Sequence, residues 1–254
     1  MPRFRLTLAY NGSSFSGWQI QPNAPTVQAA VEKALGVALR QKVQVHGSGR
    51  TDAGVHANGQ VAHFDFPRAL SETERARLRK SLSGLLAPDV FVKELVPVHD
   101  SFHARFDADY RTYHYYFSDI HQPLFGQTTA FFPQLPHFDD MRRAASCIQG
   151  DLDCLSFTPF DPALPHHRCW FFESYFREAD DYGRYCYVVT ANRFLRNLVR
   201  SLVGTLIDVG SGKKTAEEFS ALFRNPDRTK SGTTAPAKGL VLYKVGYDGH
   251  WKLP

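Results

Sequence analysis

Residues 43–66, VQVHGSGRTDAGVHANGQVAHFDF, decide the reading of the fold. They hold two strand candidates, Val43 to Ser48 and Gly59 to Phe66, in which apolar and polar residues alternate as on a half-buried strand. Between the two lies Gly49 to His56, and the segment Gly47 to Gly54, with glycine at 47, 49 and 54, has a density of glycine that marks backbone approaching itself or a ligand closely. Upstream, Thr26 is placed to cap a helix on which Val27, Val31, Ala34, Leu35 and Ala38 recur at helical spacing to about Arg40. Before it, Phe4, Leu6 and Leu8 line one face of a strand reaching Tyr10, and Asn11 to Ser14 form a turn. Downstream, Ser71 and Glu74 have the spacing of a capping box on a helix to Leu86, and Val90 to Val98 is a strand. The order β-α-β-β-α-β is that of a split βαβ unit, an antiparallel sheet with both helices on one face.

The second half repeats the theme more loosely. Tyr110 to Phe117 reads as an aromatic-rich strand, Phe138 to Gln149 as a helix, and Trp170–Arg177 with Tyr185–Ala191 as a strand pair turning through Asp180 to Gly183. Phe194 to Val209 reads as one helix ending at Gly210, Glu217 to Phe223 as a short one, and Leu240 to Tyr247 as a last strand. The expected fold class is therefore α+β: two split-βαβ, ferredoxin-like halves, residues 1–104 and 105–254, sharing a continuous, mostly antiparallel sheet. The join is expected near Pro97 to Arg105.

Composition sets bounds on the rest. The chain has 254 residues, 43% hydrophobic and 22% charged, which excludes disorder as its main state. Its apolar runs fall far short of the roughly 18–20 residues of a membrane span. Its start, Met1 to Arg5, lacks the apolar region of a secretion signal, so a soluble, cytoplasmic protein is expected. Cys147, Cys154, Cys169 and Cys186 form no CxxC pair, and no HExxH occurs among the histidines, so neither a disulfide framework nor a metal is expected. Adjacent His166 and His167 would point to opposite faces of a strand rather than share an ion. A net charge of +5 suits phosphate binding without demanding it.

The glycine loop is not a dinucleotide fingerprint, because Asp52 stands where the third glycine of GxGxxG belongs, nor a P-loop, because no Lys-Ser/Thr follows. It reads either as a glycine-rich turn with an Arg50–Asp52 surface pair or as a ligand-approaching loop. Gly210 to Thr215 imitates the end of a Walker motif, but residue 207 is Ile, residue 214 is Lys, and the segment follows a helix rather than a strand. On the helix expected from Phe194, Arg193, Arg196 and Arg200 fall at i, i+3 and i+7, which makes either a solvated flank or a ridge that contacts phosphates.

Gly47 to His56, continuing through Ala57 to Phe64, resembles the active-site signature of the tRNA pseudouridine synthase A family. So, in order, do Gly17-Trp18-Gln19, Asp100 to Phe106, Tyr113-His114-Tyr115, Phe194 to Arg200 with Val203-Gly204, and Thr234 to Leu240, blocks that span nearly the whole chain. The resemblance implies an isomerase that makes pseudouridine at positions 38, 39 and 40 of the tRNA anticodon stem-loop. It further implies a homodimer, no cofactor, no metal, and a catalytic cleft between the halves. By the same resemblance Asp52 is the catalytic residue, Tyr113 stacks on the target base, Arg50 helps displace the nucleotide, and Arg200 and Leu242 complete the substrate-binding set. The block with Phe102, His103 and Arg105 is implied to meet the tRNA, and Arg105, Arg168, Arg196, Arg200 and the loop Arg224–Lys238 are the candidates for a broad basic cleft that reads backbone and shape.

The chemistry agrees with so spare a set of groups. The reaction breaks the N1–C1′ bond, turns the uracil, and joins C5 to C1′, with no atom gained or lost. A carboxylate can stabilise or bond to the electron-poor C1′, as in retaining glycosidases. Two other readings remain at this level: an RNA-binding protein without catalysis, and a nucleosidase that uses Asp52 as nucleophile.

Overall fold

A computed structural model of the chain describes residues 1–133 and 137–251. In chain order its strands and helices are β1 (Arg3–Tyr10), α1 (Val27–Leu39), β2 (His46–Gly47), β3 (His56–Asp65), α2 (Glu72–Leu86), β4 (Val90–Val98), β5 (Tyr110–Ser118) and β6 (Ala130–Phe131). There follow α3 (Phe138–Ser146), β7 (Gly150–Asp153), β8 (Arg168–Arg177), β9 (Tyr185–Ala191), α4 (Leu198–Gly210), α5 (Ala216–Arg224) and β10 (Leu240–Gly246). The expected α+β class is borne out, and the strand pairings are mostly antiparallel. The chain falls into two compact units, Met1–Asp109 with Val241–Tyr247, and Tyr110–Leu240 with Asp248–Pro254.

In the first unit β1 lies between β3 and β4, antiparallel to both. Its alternation buries Phe4, Leu6, Leu8 and Tyr10 on one side, where Phe4 stacks on Phe64 with centroids 5.5 Å apart. The helices add Val27, Val31 and Leu35 from α1 and Leu78, Leu82 and Leu86 from α2 to the core. Each such burial contributes about 1.5–3 kcal/mol against chain entropy. Both helix starts follow the expected caps: Thr26 accepts from the amide of Ala29, and Ser71 and Glu74 bond reciprocally as a capping box.

The strand expected over Val43–Ser48 is only His46–Gly47. Val43 and Val45 are buried as anticipated, but α1 takes the main chain there: the Val45 amide donates to Glu32 Oε1 at 3.0 Å, and its carbonyl accepts from Gln28 Nε2 at 3.0 Å. Conversely β3 begins at His56, earlier than expected, because His56 and Ala57 pair in parallel with Val241 and Leu242 of β10. One edge of β3 thus receives β10 near its start and β2 near its end, with His46 opposite His63 and Gly47 opposite Ala62.

In the second unit the order is β5-β9-β8-β7, with β6 parallel on the end of β5. Tyr115, Phe117, Tyr187, Phe157 and Phe171 are fully buried. The helix expected from Phe194 starts instead at Leu198, and the segment before it is not helical. Asn197 adopts φ +61°, which no right-handed helix continues through. Hydrogen bonds to neighbouring chain hold that segment: Asn192 Oδ1 accepts from the amides of Trp170 and Arg193, and Thr158 Oγ1 donates to the carbonyl of Arg196 at 2.9 Å. The single basic row of Arg193, Arg196 and Arg200 therefore does not form, since only Arg200 is on the helix. The helix also runs through Gly210, and the left-handed residue comes at Gly212, φ +75°.

Candidate active site

The glycine loop hangs from β2 and is fastened along its length. The Ser48 amide donates to the carbonyl of Val61 at 2.8 Å, and Ser48 Oγ donates to Gln60 Oε1 at 2.7 Å. Gln60 Nε2 then donates to the carbonyl of Gly49 at 3.1 Å. Beyond the exposed Arg50, Thr51 is buried, and its Oγ1 shares a 2.8 Å hydrogen bond with the Tyr10 hydroxyl. The Thr51 carbonyl accepts from the Trp18 amide at 3.0 Å. Asp52 follows, half-buried, and its carbonyl closes a turn by accepting from the Val55 amide at 3.1 Å.

Small residues are needed where the neighbours come close. A Cβ on Gly47 would meet the Trp18 indole at 2.6 Å, and Gly17, at φ +99°, would carry its Cβ to 2.6 Å from the Thr51 carbonyl oxygen. These contacts explain why Gly17-Trp18 and Gly47, far apart in sequence, belong to one piece of architecture: the indole lies over the start of the loop, and the amide beside it holds the residue before Asp52. Burial pushes the Tyr10 phenol up to about 12, so it stays neutral and serves as a hydrogen-bonding post. Tyr10→Phe removes that post. The expected result is a loss of about 1 kcal/mol of stability in urea unfolding, and a slowing of turnover on the order of tenfold as the residue before Asp52 loosens.

A second cluster in the same unit holds the block Asp100–Phe106. Arg3 forms a two-pronged pair with Asp65, both bonds 2.8 Å, and donates from Nη1 to the carbonyl of Phe102 at 2.6 Å. Phe102 is buried, packed on Tyr247 with centroids 5.2 Å apart, so its ring is core and its block is what it positions. His103 Nδ1 accepts from the amides of Arg105 and Phe106, at 3.1 and 3.3 Å. Arg105 and Phe106 are exposed, and the guanidinium lies 5.8 Å over the ring.

Beneath them His63 accepts at Nδ1 from the Ala104 amide, 3.1 Å, and burial, aided by Arg3, His103 and His46, lowers its pKa to about 4. An unfolded histidine titrates near 6.5, so the unfolded chain binds the extra proton first. The stability His63 contributes as a neutral ring is complete above about pH 6.5 and is lost as the pH falls towards 4. The urea midpoint is therefore expected to drop between pH 7 and pH 5, and His63→Gln to flatten that slope.

In the second unit Tyr113 is half-buried on β5 and meets Phe194 edge to face at 5.0 Å, while Phe194 meets Phe171 at 6.2 Å. The sequence places Phe194 at the start of a helix; its position against Tyr113 follows from the non-helical segment before α4. Arg200 Nε donates to the carbonyl of Ala235 at 2.8 Å, and the Ala235 amide donates to the carbonyl of Arg200 at 3.0 Å. That reciprocal pair ties the Thr234–Leu240 block to α4. Arg196 is exposed, and Arg168 donates from Nε and Nη2 to Asp151, at 2.9 and 3.0 Å. Leu242 is buried on β10 opposite Ala57, next to the end of the glycine loop.

Among the described residues no group of three or more His, Cys, Asp or Glu is arranged to hold a metal, and no helix is long and apolar enough to cross a membrane. The sequence matches the family model described as tRNA pseudouridine synthase over residues 7–107 and 144–248. The chain belongs to the tRNA pseudouridine synthase family. The tRNA pseudouridine synthase A of Porphyromonas gingivalis is 42% identical over 248 residues, covering 97% of this chain and 98% of that protein. That of Parabacteroides distasonis is 38% identical over 247 residues, covering 97% and 96%, and that of Brevibacillus brevis 38% over 253, covering 97% and 100%. As a pseudouridine synthase this chain is an isomerase acting on uridine in tRNA. The glycine loop and its Tyr10, Trp18 and Gln60 fastenings all fall within the first matched stretch.

Proposed function

We propose that this isomerase acts at positions 38, 39 and 40 of the tRNA anticodon stem-loop, in the cytoplasm and as a homodimer, with Asp52 as the group that meets the ribose. The observation that supports the reading most is the fastened glycine loop, which carries Asp52 on a turn held by main-chain bonds at Thr51, Asp52 and Gly54 and by the Tyr10–Thr51 side-chain bond. A side chain carried on so constrained a turn keeps one geometry through the reaction, as positioning chemistry requires.

The steps follow from the chemistry of uridine. The target nucleotide leaves the stem, at a cost of a few kcal/mol. Tyr113, buttressed by Phe194, offers a face on which the base stacks, which returns about 1–3 kcal/mol. Arg50 is exposed beside Asp52 and takes the vacated space or the phosphate. As N1 leaves C1′, the Asp52 carboxylate stabilises or bonds to that carbon; the uracil turns, C5 attacks C1′ and releases the carboxylate, and the loss of the C5 proton is matched by the proton that N1 takes up. Electrons and atoms balance within the nucleotide, so no redox partner is consumed. Backbone and shape readout suits an enzyme that serves three adjacent positions, and Arg105, Arg196, Arg200 and the segment Arg224–Lys238 would supply the phosphate contacts. Arg168 would contribute only by exchanging its Asp151 partner for a phosphate. The test is mass-spectrometric mapping of an anticodon stem-loop transcript incubated with the protein and no additive. Pseudouridine at 38, 39 or 40 is expected, and its appearance only elsewhere would refute the positional reading.

A further inference from the structure

Beside the end of β5 the second unit holds a cavity of about 230 Å³, lined among others by His121, Gln122, Thr129, Phe131 and Lys238. We propose that it is an accessory subsite for one pyrimidine nucleotide, its ring in the cavity and its phosphate on Lys238. The proposal rests on the reading of this chain as an RNA enzyme and names a second place where it grips its substrate. Most of the cavity's wall, residues 120–131, lies between the two stretches that match the family model, and only Lys238 falls within the second of them.

Three observations converge on that ligand. Thr129 is only 3% exposed, and its Oγ1 has no hydrogen-bond partner among the described residues. A buried hydroxyl left in this state favours a ligand with a polar edge, and a hydroxyl can serve either a donor or an acceptor on a base. Next to it His121 and Phe131 stack face to face, centroids 4.1 Å apart and 20° from parallel, and so offer a flat wall to a flat ring. Finally, the exposed Lys238 spends one of its three donors on the carbonyl of Gly126, at 3.1 Å, and among the described residues no carboxylate lines the cavity. Together they ask for an anion attached to a planar, hydrogen-bonding ring. The volume is below the roughly 300 Å³ at which drug-sized ligands begin to fit, which suits one six-membered ring.

The walls are held by contacts of their own. Gln122 Nε2 donates to Ser118 Oγ at 3.1 Å and to the carbonyl of Tyr182 at 2.6 Å. The Arg184 guanidinium sits 3.7 Å over the Phe125 ring while paired with Asp180 at 2.7 Å, which pins the loop to the β8–β9 turn. A preformed pocket loses little entropy on binding. The strand that ends here also carries Tyr113: from Tyr113 to Phe117, the partner of Ala130, is about 13 Å along β5. A short run of single strand could occupy both places.

Cytidine 5′-monophosphate, which is not a uridine and so cannot be turned over, is the probe, and a nucleotide of the RNA strand or a free nucleotide could supply the same chemistry. Titration with the probe is expected to show binding to the wild-type protein, weakened about tenfold in Lys238→Gln and several-fold in Thr129→Val. Thr129→Val removes an unsatisfied hydroxyl, so its melting temperature should hold or rise, which separates lost binding from lost folding. In parallel, the affinity of an anticodon stem-loop is measured: a matching loss in both variants assigns the subsite to the RNA strand, and an unchanged stem-loop affinity assigns it to a free nucleotide. No binding of the probe to wild-type protein, or equal binding to both variants, overturns the proposal. Asp52→Ala should bind the probe as wild type does, so a failure to find pseudouridine at positions 38–40 would leave this result standing, and the reverse.

Discussion

Asp52→Ala is expected to abolish pseudouridine formation, by a factor on the order of 10⁴ or more, as loss of a group that meets the reacting carbon does in other enzymes. It should leave RNA binding and the melting temperature close to those of the wild type. The second half of this expectation comes from the loop. The Asp52 carbonyl closes the turn with the Val55 amide, the Thr51 carbonyl holds the Trp18 amide, and the Gly54 amide donates to the carbonyl of Phe15, so main-chain bonds on both sides of residue 52 hold the course of the backbone. The measurement pairs a pseudouridine assay with filter binding of an anticodon stem-loop and a thermal melt. Retained activity would remove Asp52 from the chemistry, and binding lost in proportion to activity would make it a recognition residue. Release of free uracil by the wild type would favour the nucleosidase reading instead.

The parts of this fold that were legible beforehand are those written in local chemistry. The capping box of Ser71 and Glu74, the Thr26 cap and the alternation of β1 concern residues a few positions apart, and all three are present as anticipated. What was not legible depends on partners remote in sequence. Val43 and Val45 have the alternation of a strand, but Gln28 and Glu32 of α1 claim the main chain of Val45, so the ladder shrinks to two residues. Phe194 and Leu195 continue the apolar spacing of α4, yet Asn197 in the left-handed region separates them from it, and no periodicity reports a single φ. β10 returns to pair with the start of β3, and a parallel contact between residues 57 and 242 leaves no trace in either segment alone. The candidate site divides in the same way. The glycine loop is a contiguous motif that the sequence shows whole; the Tyr10–Thr51 bond, the Trp18 indole over Gly47, and the Arg200–Ala235 exchange join blocks far apart in the chain.

That last exchange gives the second large expected effect. Gly204 sits on α4 one turn past Arg200, and a Cβ there would collide with the carbonyl oxygen of Thr233. The segment Gly232–Ala235 crosses the helix at that point, held by Thr205 Oγ1 accepting from the Gly232 amide at 2.9 Å and by the Ala235 pair with Arg200. The obstructing atom is backbone, so it cannot swing aside as a side-chain end would; the crossing segment has to lift. Gly204→Ala is therefore expected to destabilise the chain by about 3 kcal/mol, the upper end for overpacking, despite the better intrinsic helix propensity of alanine. Gly84→Ala on α2 is the control, since Gly84 is exposed and its Cβ would meet nothing within 4 Å, and there the same exchange should stabilise by about 0.5–1 kcal/mol. Opposite signs for one chemical change, read from urea unfolding, would tie the effect to the crossing rather than to helix propensity. Lifting the segment also withdraws the Ala235 carbonyl from Arg200, so residual folded Gly204→Ala protein should isomerise more slowly than its folded fraction accounts for. Activity that merely tracks the folded fraction would mean that the Ala235 hold on Arg200 stabilises the fold without orienting the guanidinium for substrate.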